Sequence, residues 1–188
     1  KLAHEGKQYF LSRPRRFGKS LLISTLKAYW EGRKELFADL RITTLESNDS
    51  DAWKAYPVFS FDFNGQNYMT VHGLEDILDE QLRRWEQEYG IYSAVGSLGE
   101  RFRSLLIAAK NKTGLRCVIL VDEYDKPLLD AADETAIQEH NKEVFRGFFS
   151  TLKSFDEYIR FVFITGVTKF HKVSKFSDLN PLNDISLN

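Results

Sequence analysis

Cysteine occurs once in the 188 residues, at Cys117, so no intrachain disulfide can form and a reducing, cytoplasmic setting is the expectation. An excess of either charge is missing too. The 26 basic and 27 acidic side chains leave a formal charge of −1, too balanced for a whole-molecule field that attracts nucleic acid, and direct nucleic-acid binding by this stretch is not expected. No long hydrophobic run is present: the longest, around Val118 to Val121 and Phe161 to Ile164, fall far short of the roughly 18 residues that suggest a membrane span. A soluble chain without a membrane partner is expected. Histidine is scarce, and His4, His72, His140 and His171 lie far apart in sequence, with no pair at ligand spacing and no cysteine cluster, so no zinc site is expected. The chain starts on Lys1 without a leader-like segment and ends on a polar stretch, Ser177 to Asn188, which reads as a piece cut from a larger protein.

What is present is enough for a core. With 43% apolar, 14% aromatic and 28% charged residues, the composition is that of a folded domain, and its length fits one domain over residues 1–188. Gln8 to Leu11 reads as a short buried strand, followed by a turn with Pro14 and Gly18. Leu22, Ile23, Leu26, Tyr29 and Trp30 then recur at helical spacing. Val58 to Phe63 alternates and is aromatic-rich, as a second strand should be. Two amphipathic helices follow, one carrying Leu74, Ile77, Leu78, Leu82, Trp85 and Tyr89, the other Leu98, Phe102, Leu105, Leu106 and Ala109. Cys117 to Val121 is continuously apolar, the mark of a strand buried on both faces. A helical stripe over Ile137 to Ile159 leads into a fourth strand, Phe161 to Gly166. Strands separated by amphipathic helices predict an α/β fold: a three-layer sandwich with a mostly parallel sheet and helices on both faces.

The chemistry concentrates in Arg13-Pro14-Arg15-Arg16-Phe17-Gly18-Lys19-Ser20, placed between a strand and a helix. A loop there aims backbone N–H groups at phosphate oxygens, aided by the positive end of the helix. Arg15, Arg16, Phe17, Gly18, Lys19, Ser20 and Leu21 are the candidate nucleotide-binding segment, with Lys19 on the phosphates and the Ser20 hydroxyl on Mg²⁺. The general pattern G-x-x-x-x-G-K-[ST] is incomplete, because Arg13 stands where the first glycine belongs. Read alone, Gly18-Lys19-Ser20 is also compatible with a plain surface turn capping a helix. Asp122 and Glu123 end an apolar strand, where parallel sheets bind ligands; Asp122 is the candidate for the Mg²⁺ shell and Glu123 for aligning or deprotonating water. Thr165, at the end of the fourth strand, is a candidate contact for the γ-phosphate or the attacking water, against the plainer reading of a local backbone partner. Arg13, Arg15 and Arg16 form a basic cluster facing either nucleotide phosphate or an acid such as Asp125, while Asp125 and Lys126 could equally pair with each other.

Tyr9 to Leu22, Leu120 to Pro127 and Phe163 to Val167, with Ser177-Asp178-Leu179-Asn180 near the end, resemble the bacterial AAA-ATPase-like family over nearly the whole chain. In that family Arg-Pro-Arg-Arg-Phe-Gly-Lys-Ser is the usual phosphate loop, so Arg13 departs from the general pattern and not from the family's. The resemblance implies a P-loop ATPase module with an extra strand between its two Walker strands, often followed by a PD-(D/E)XK-type nuclease-like domain that is not expected within residues 1–188. A fifth strand, a lid and a second sensor arginine are not legible in this sequence.

ATP binding with Mg²⁺-dependent hydrolysis, coupled to a conformational or partner switch, is the first expectation. A nucleotide-binding regulatory or assembly module with little hydrolysis is the second. A small-molecule kinase is disfavoured by Glu123, and a GTPase by the lack of Asn-Lys-x-Asp after the fourth strand. Self-association, or a partner supplying an arginine, would complete the site.

Overall fold

Apolar runs without alternation become interior strands, and the alternating run becomes an edge. The computed structural model describes residues 7–92, 95–168 and 182–186, with only the backbone at 151. In it β1 (Gln8–Ser12), β3 (Cys117–Asp122) and β4 (Ile159–Gly166) are buried almost throughout. In β2 (Val58–Asp62), buried Phe59 and Phe61 alternate with partly exposed Val58 and Ser60. The sheet order is β2-β3-β4-β1-β5, and every pairing is parallel. The last strand, β5 (Asn183–Asp184), pairs with Tyr9 and Phe10 of β1 and is the fifth strand that was not legible in the sequence. Two exposed polar residues carry no hydrophobic signature, because this strand is defined by its ladder rather than by burial.

Each face is covered by helices whose apolar stripes match the pleat. Tyr9, Leu11, Val118, Leu120, Phe161 and Phe163 point to one face, where α1 (Lys19–Trp30) lays Ile23, Tyr29 and Trp30 on them. A 3-10 turn, Lys34–Phe37, and the short α2 (Arg41–Leu45) follow. Phe10, Ile119, Val121, Val162 and Ile164 point to the other face, with Phe59 and Phe61. That face is covered by α3 (Gly73–Tyr89), α4 (Leu98–Thr113) and α6 (Thr135–Ser154), with the five-residue α5 (Lys126–Asp130) leading into α6. Its centre is aromatic: Phe61 meets Trp85, Phe102 and Phe148 edge-on at 5.0–5.4 Å between ring centres. The outer edge of β2 borders a groove lined in part by Lys27, Glu31, Glu80, Arg84 and Glu88.

Local signals set several boundaries. Ser97 and Glu100 form a reciprocal capping box at the start of α4, and Gly114, at φ 71°, ends it in the left-handed conformation. The third boundary differs from expectation. The helix expected to reach Ile159 stops at Ser154, a 3-10 turn covers Asp156–Tyr158, and β4 begins at Ile159. No glycine or proline marks the stop, and Phe155 keeps the apolar spacing because its ring packs on Tyr158 at 5.3 Å. Cys117 is fully buried with its thiol 3.6 Å from the Leu106 carbonyl, and burial pushes its pKa up to about 12, out of reach of nucleophilic chemistry at neutral pH.

One ionic cluster joins α3 to α4. The Arg101 guanidinium donates to both oxygens of Glu86 at 2.8 Å and to Asp79 at 2.5 Å, with Glu86 almost completely buried. Arg101 holds the Asp79 carboxyl below its ordinary pKa, and the arginine's own pKa is raised by the same contacts. Removing the cation strands a buried carboxylate. Arg101→Ala is therefore expected to lower unfolding stability by about 3 kcal/mol in a urea titration, a loss of that order being usual for breaking a buried pair from one side.

Candidate functional site

Parallel pairing brings the ends of three strands to the same edge of the sheet. Ser12 lies opposite Gly166 and Leu11 opposite Thr165, while Val121 lies opposite Ile164, so β4 separates the loop after β1 from the acidic pair after β3. The loop after β1 runs from Arg13 to Gly18 and feeds α1. Its first amide, on Arg13, donates to the Gly166 carbonyl at 3.1 Å and ties the loop to β4. Arg16 and Gly18 both adopt left-handed backbone, φ 65° and 75°, which turns the chain tightly enough to start the helix. Gly18 occupies the N-cap position and supplies no side-chain cap. The first-turn amides of α1 thus remain available for an anionic ligand.

Lys19 starts α1, yet its ammonium is drawn inward. Nζ donates to the carbonyls of Arg13 at 3.1 Å and Pro14 at 3.2 Å and lies 3.6 Å from Glu123 Oε1; the lysine side chain is only 3% exposed. A cation that deep needs these partners, because burying an unpaired ammonium is costly. The loop lysine and the acid after β3 are thereby in contact across the strand ends. Ser20, Phe17 and Leu21 are exposed beside it, and Arg15 and Arg16 are exposed on the loop without an ion pair among the described residues.

Asp122 and Glu123 diverge, although they are adjacent in sequence. Asp122 is buried and accepts a 2.6 Å hydrogen bond from the Thr165 hydroxyl. That same hydroxyl accepts from the Glu123 amide at 3.3 Å, and the Thr165 carbonyl accepts from the Tyr124 amide at 2.9 Å. Glu123 has φ 52°, uncommon for a residue with a side chain, and these bonds hold it there. Thr165 touches both acids and is itself completely buried.

Asp125 does not meet the arginine cluster or Lys126. Its carboxylate accepts from the Val167 amide, at 3.0 Å to the nearer oxygen, and from the Thr168 amide and hydroxyl at 2.6 and 2.5 Å; Lys126 pairs with Asp130 instead. Three donors on the turn after β4 outcompete long exposed side chains that would lose entropy on pairing. Asp125 is thus a brace between the loops after β3 and β4. Gly166 completes this junction: a Cβ there would lie 2.5 Å from the Tyr124 ring and 2.9 Å from Asp125 Oδ1. Gly166 was legible only as the last residue of a strand, and nothing local announced the tyrosine against it.

The expectation that the histidines lie apart is also corrected. The N-terminus of α3 packs beside α6, and this brings His72 and His140, with Glu75, into one cluster; the imidazole centres are 6.1 Å apart. Sequence spacing could not show it, because the two histidines stand on different helices. His4, His171 and the stretch Ser177 to Asn180 lie outside the described residues.

The donor set after β1 and β3 fits a nucleotide triphosphate with a divalent cation. Uncapped helix amides and a buried ammonium suit phosphate, and the Ser20 hydroxyl and Asp122 carboxylate are hard oxygen ligands of the kind Mg²⁺ takes. The family of predicted AAA-ATPases matches residues 1–176. An uncharacterised protein encoded in the 5′ region of vnfD in Azotobacter chroococcum mcd 1 is 40% identical over 187 residues, covering 99% of this chain. The chain spans 35% of that relative's length. No solved structure matches it.

The junction around Gly166 yields a direct test. Gly166→Ala is expected to force the Tyr124 ring aside and destabilise the chain by about 1–3 kcal/mol, as overpacking does, measured as a fall in thermal midpoint. An unchanged midpoint would show that the ring can give way freely.

Proposed function

The chain belongs to the predicted AAA-ATPase family, and on that premise we propose that it binds ATP with Mg²⁺ at the loop after β1 and hydrolyses it. The observation that carries the reading is the buried Lys19 ammonium, held between its own loop carbonyls and Glu123 across the ends of two strands separated by β4. A bare surface turn has no reason to bury a lysine. In this reading Lys19 leaves the carbonyls of Arg13 and Pro14 for phosphate oxygens, and the amides from Arg15 to Leu21 line the phosphates. Ser20 and Asp122 hold the Mg²⁺ shell, which supplies charge neutralisation for the departing phosphate. Glu123, freed from Lys19 as the lysine turns to phosphate, aligns water and takes its proton.

Thr165 acts as a positioning residue. Its hydroxyl fixes Asp122 and the Glu123 backbone together, so the metal-side and water-side carboxylates keep one spacing. Exposed Arg15 and Arg16 offer additional positive charge, and an arginine from a second copy or another partner is the remaining element of the reading. The Lys19–Glu123 pair also favours a second reading, a nucleotide-responsive switch with little turnover, since a glutamate engaged by lysine is a poorer base. Coupling to a switch is common to both.

A nucleotide titration with and without Mg²⁺, together with phosphate release, separates them. Lys19→Ala is expected to weaken ATP binding roughly 10- to 100-fold, the size of one charge-assisted contact. Full affinity in that variant would overturn the site. Glu123→Gln should retain binding while phosphate release falls on the order of 10²–10⁴-fold, the usual contribution of a general base. Wild type that binds ATP without Mg²⁺-dependent release supports the switch. Thr165→Val is expected to lower kcat with little change in affinity; equal losses in both would assign it direct nucleotide contact.

A further inference from the structure

We propose that His72, Glu75 and His140 form a zinc-binding site that clamps the start of α3 to α6, separate from the nucleotide loop. His72 occupies the N-cap position of α3 without a side-chain cap bond, Glu75 lies in its first turn, and His140 stands on α6. Their ligand atoms all fall within 4.8 Å of one another. His72 Nδ1 is 3.6 Å from Glu75 Oε1, and His140 Nε2 is 2.5 Å from the same oxygen. Ligands about 2.0–2.1 Å from a tetrahedral zinc ion are spaced by roughly 3.3 Å, so the first distance already suits a shared ion. The second is that of a hydrogen bond, and replacing its proton by a cation requires a parting of about 0.8 Å, within the reach of a side-chain adjustment.

An independent feature points the same way. Glu75 Oε2 is shielded from solvent and has no hydrogen-bond partner. A carboxylate oxygen left bare in this way is normally compensated, and a metal ion that Glu75 binds through both oxygens, beside the two imidazoles, supplies the compensation. The chemistry of the set narrows the metal: two imidazoles and one carboxylate suit zinc among the imidazole-binding transition ions, whereas Mg²⁺ prefers oxygen donors and retained water. The positive end of α3 opposes a cation, and Glu75 with Asp76 in the first turn offsets it. Three protein ligands leave one coordination position for water. His72 is well exposed, so an ion can enter without opening the core.

The test uses the chain freed of metal by chelation, titrated with Co²⁺ and with Zn²⁺ against a chromophoric competitor, without nucleotide. One equivalent is expected, with the visible absorption of four- or five-coordinate Co²⁺ and a rise in thermal midpoint of about 5 °C at 100-fold excess over Kd. His72→Ala and His140→Ala should each weaken zinc binding at least about 100-fold, while Lys19→Ala leaves it unchanged. Because His72 is at the surface, its variant folds normally and is decisive. No zinc bound at micromolar concentration, or unaltered affinity in His72→Ala, overturns the proposal. Loss of binding in Lys19→Ala alone would assign the metal to the nucleotide loop and overturn it equally.

Discussion

A lysine ammonium withdrawn from water governs the arrangement of the candidate site. Lys19 begins a helix whose first turn would ordinarily be open to solvent, yet its side chain is 3% exposed. To hold that charge, the loop must fold back so that the Arg13 and Pro14 carbonyls face inward, and Glu123 must stand across the strand ends. Glu123 reaches that place only in left-handed backbone, held by Thr165 through its hydroxyl and carbonyl. Thr165 in turn is available because β4 lies between β1 and β3. Strand order, backbone strain and side-chain chemistry are thus linked through one cation.

The two loops of the candidate site were legible because their signals are local. Arg13 to Ser20 sits between a short apolar run and a helical stripe, and Val118 to Glu123 is a buried strand ending in acids; neither needs a distant residue to be recognised. The parallel α/β class followed from the alternation of such runs with amphipathic segments. What could not be read depends on contacts across the fold. Thr165 was legible as a strand end, but its bond to Asp122 spans the interval from β3 to β4. Asp125 looked like a partner for neighbouring charges, while the structure turns it toward amides more than forty residues later. The same holds for His72 and His140, brought together by helix packing. β5 escaped because two polar residues have no period to detect.

The two faces of the sheet are built differently. On one, α1 lays Ile23, Tyr29 and Trp30 across Tyr9, Phe161 and Phe163, with Phe37 and Tyr56 in the same cluster, so the helix that begins with Lys19 is anchored at its far end by aromatic packing. On the other, three long helices share an aromatic centre around Phe59 and Phe61, and Arg101 cross-links two of them, α3 and α4. The loop is therefore carried by one well-seated helix, and the acidic residues are carried by a strand wedged among several. Relative movement of these two supports would change the distance from Lys19 to Glu123 directly. That gives a physical route from phosphate contact to the rest of the molecule.

The exposed flank of β2 has a further consequence. A strand rich in phenylalanine whose outer edge meets no other strand among the described residues is a template on which another chain can add itself, strand by strand. Here Glu80, Arg84 and Glu88 stand along the neighbouring helix, and Lys27 and Glu31 lie on the opposite bank. Any incoming backbone must strip water from this mixed-charge palisade before it can make its first ladder bond. The polar banks of that groove act as a guard against fibrous self-pairing, and neutralising them would expose the sheet to it.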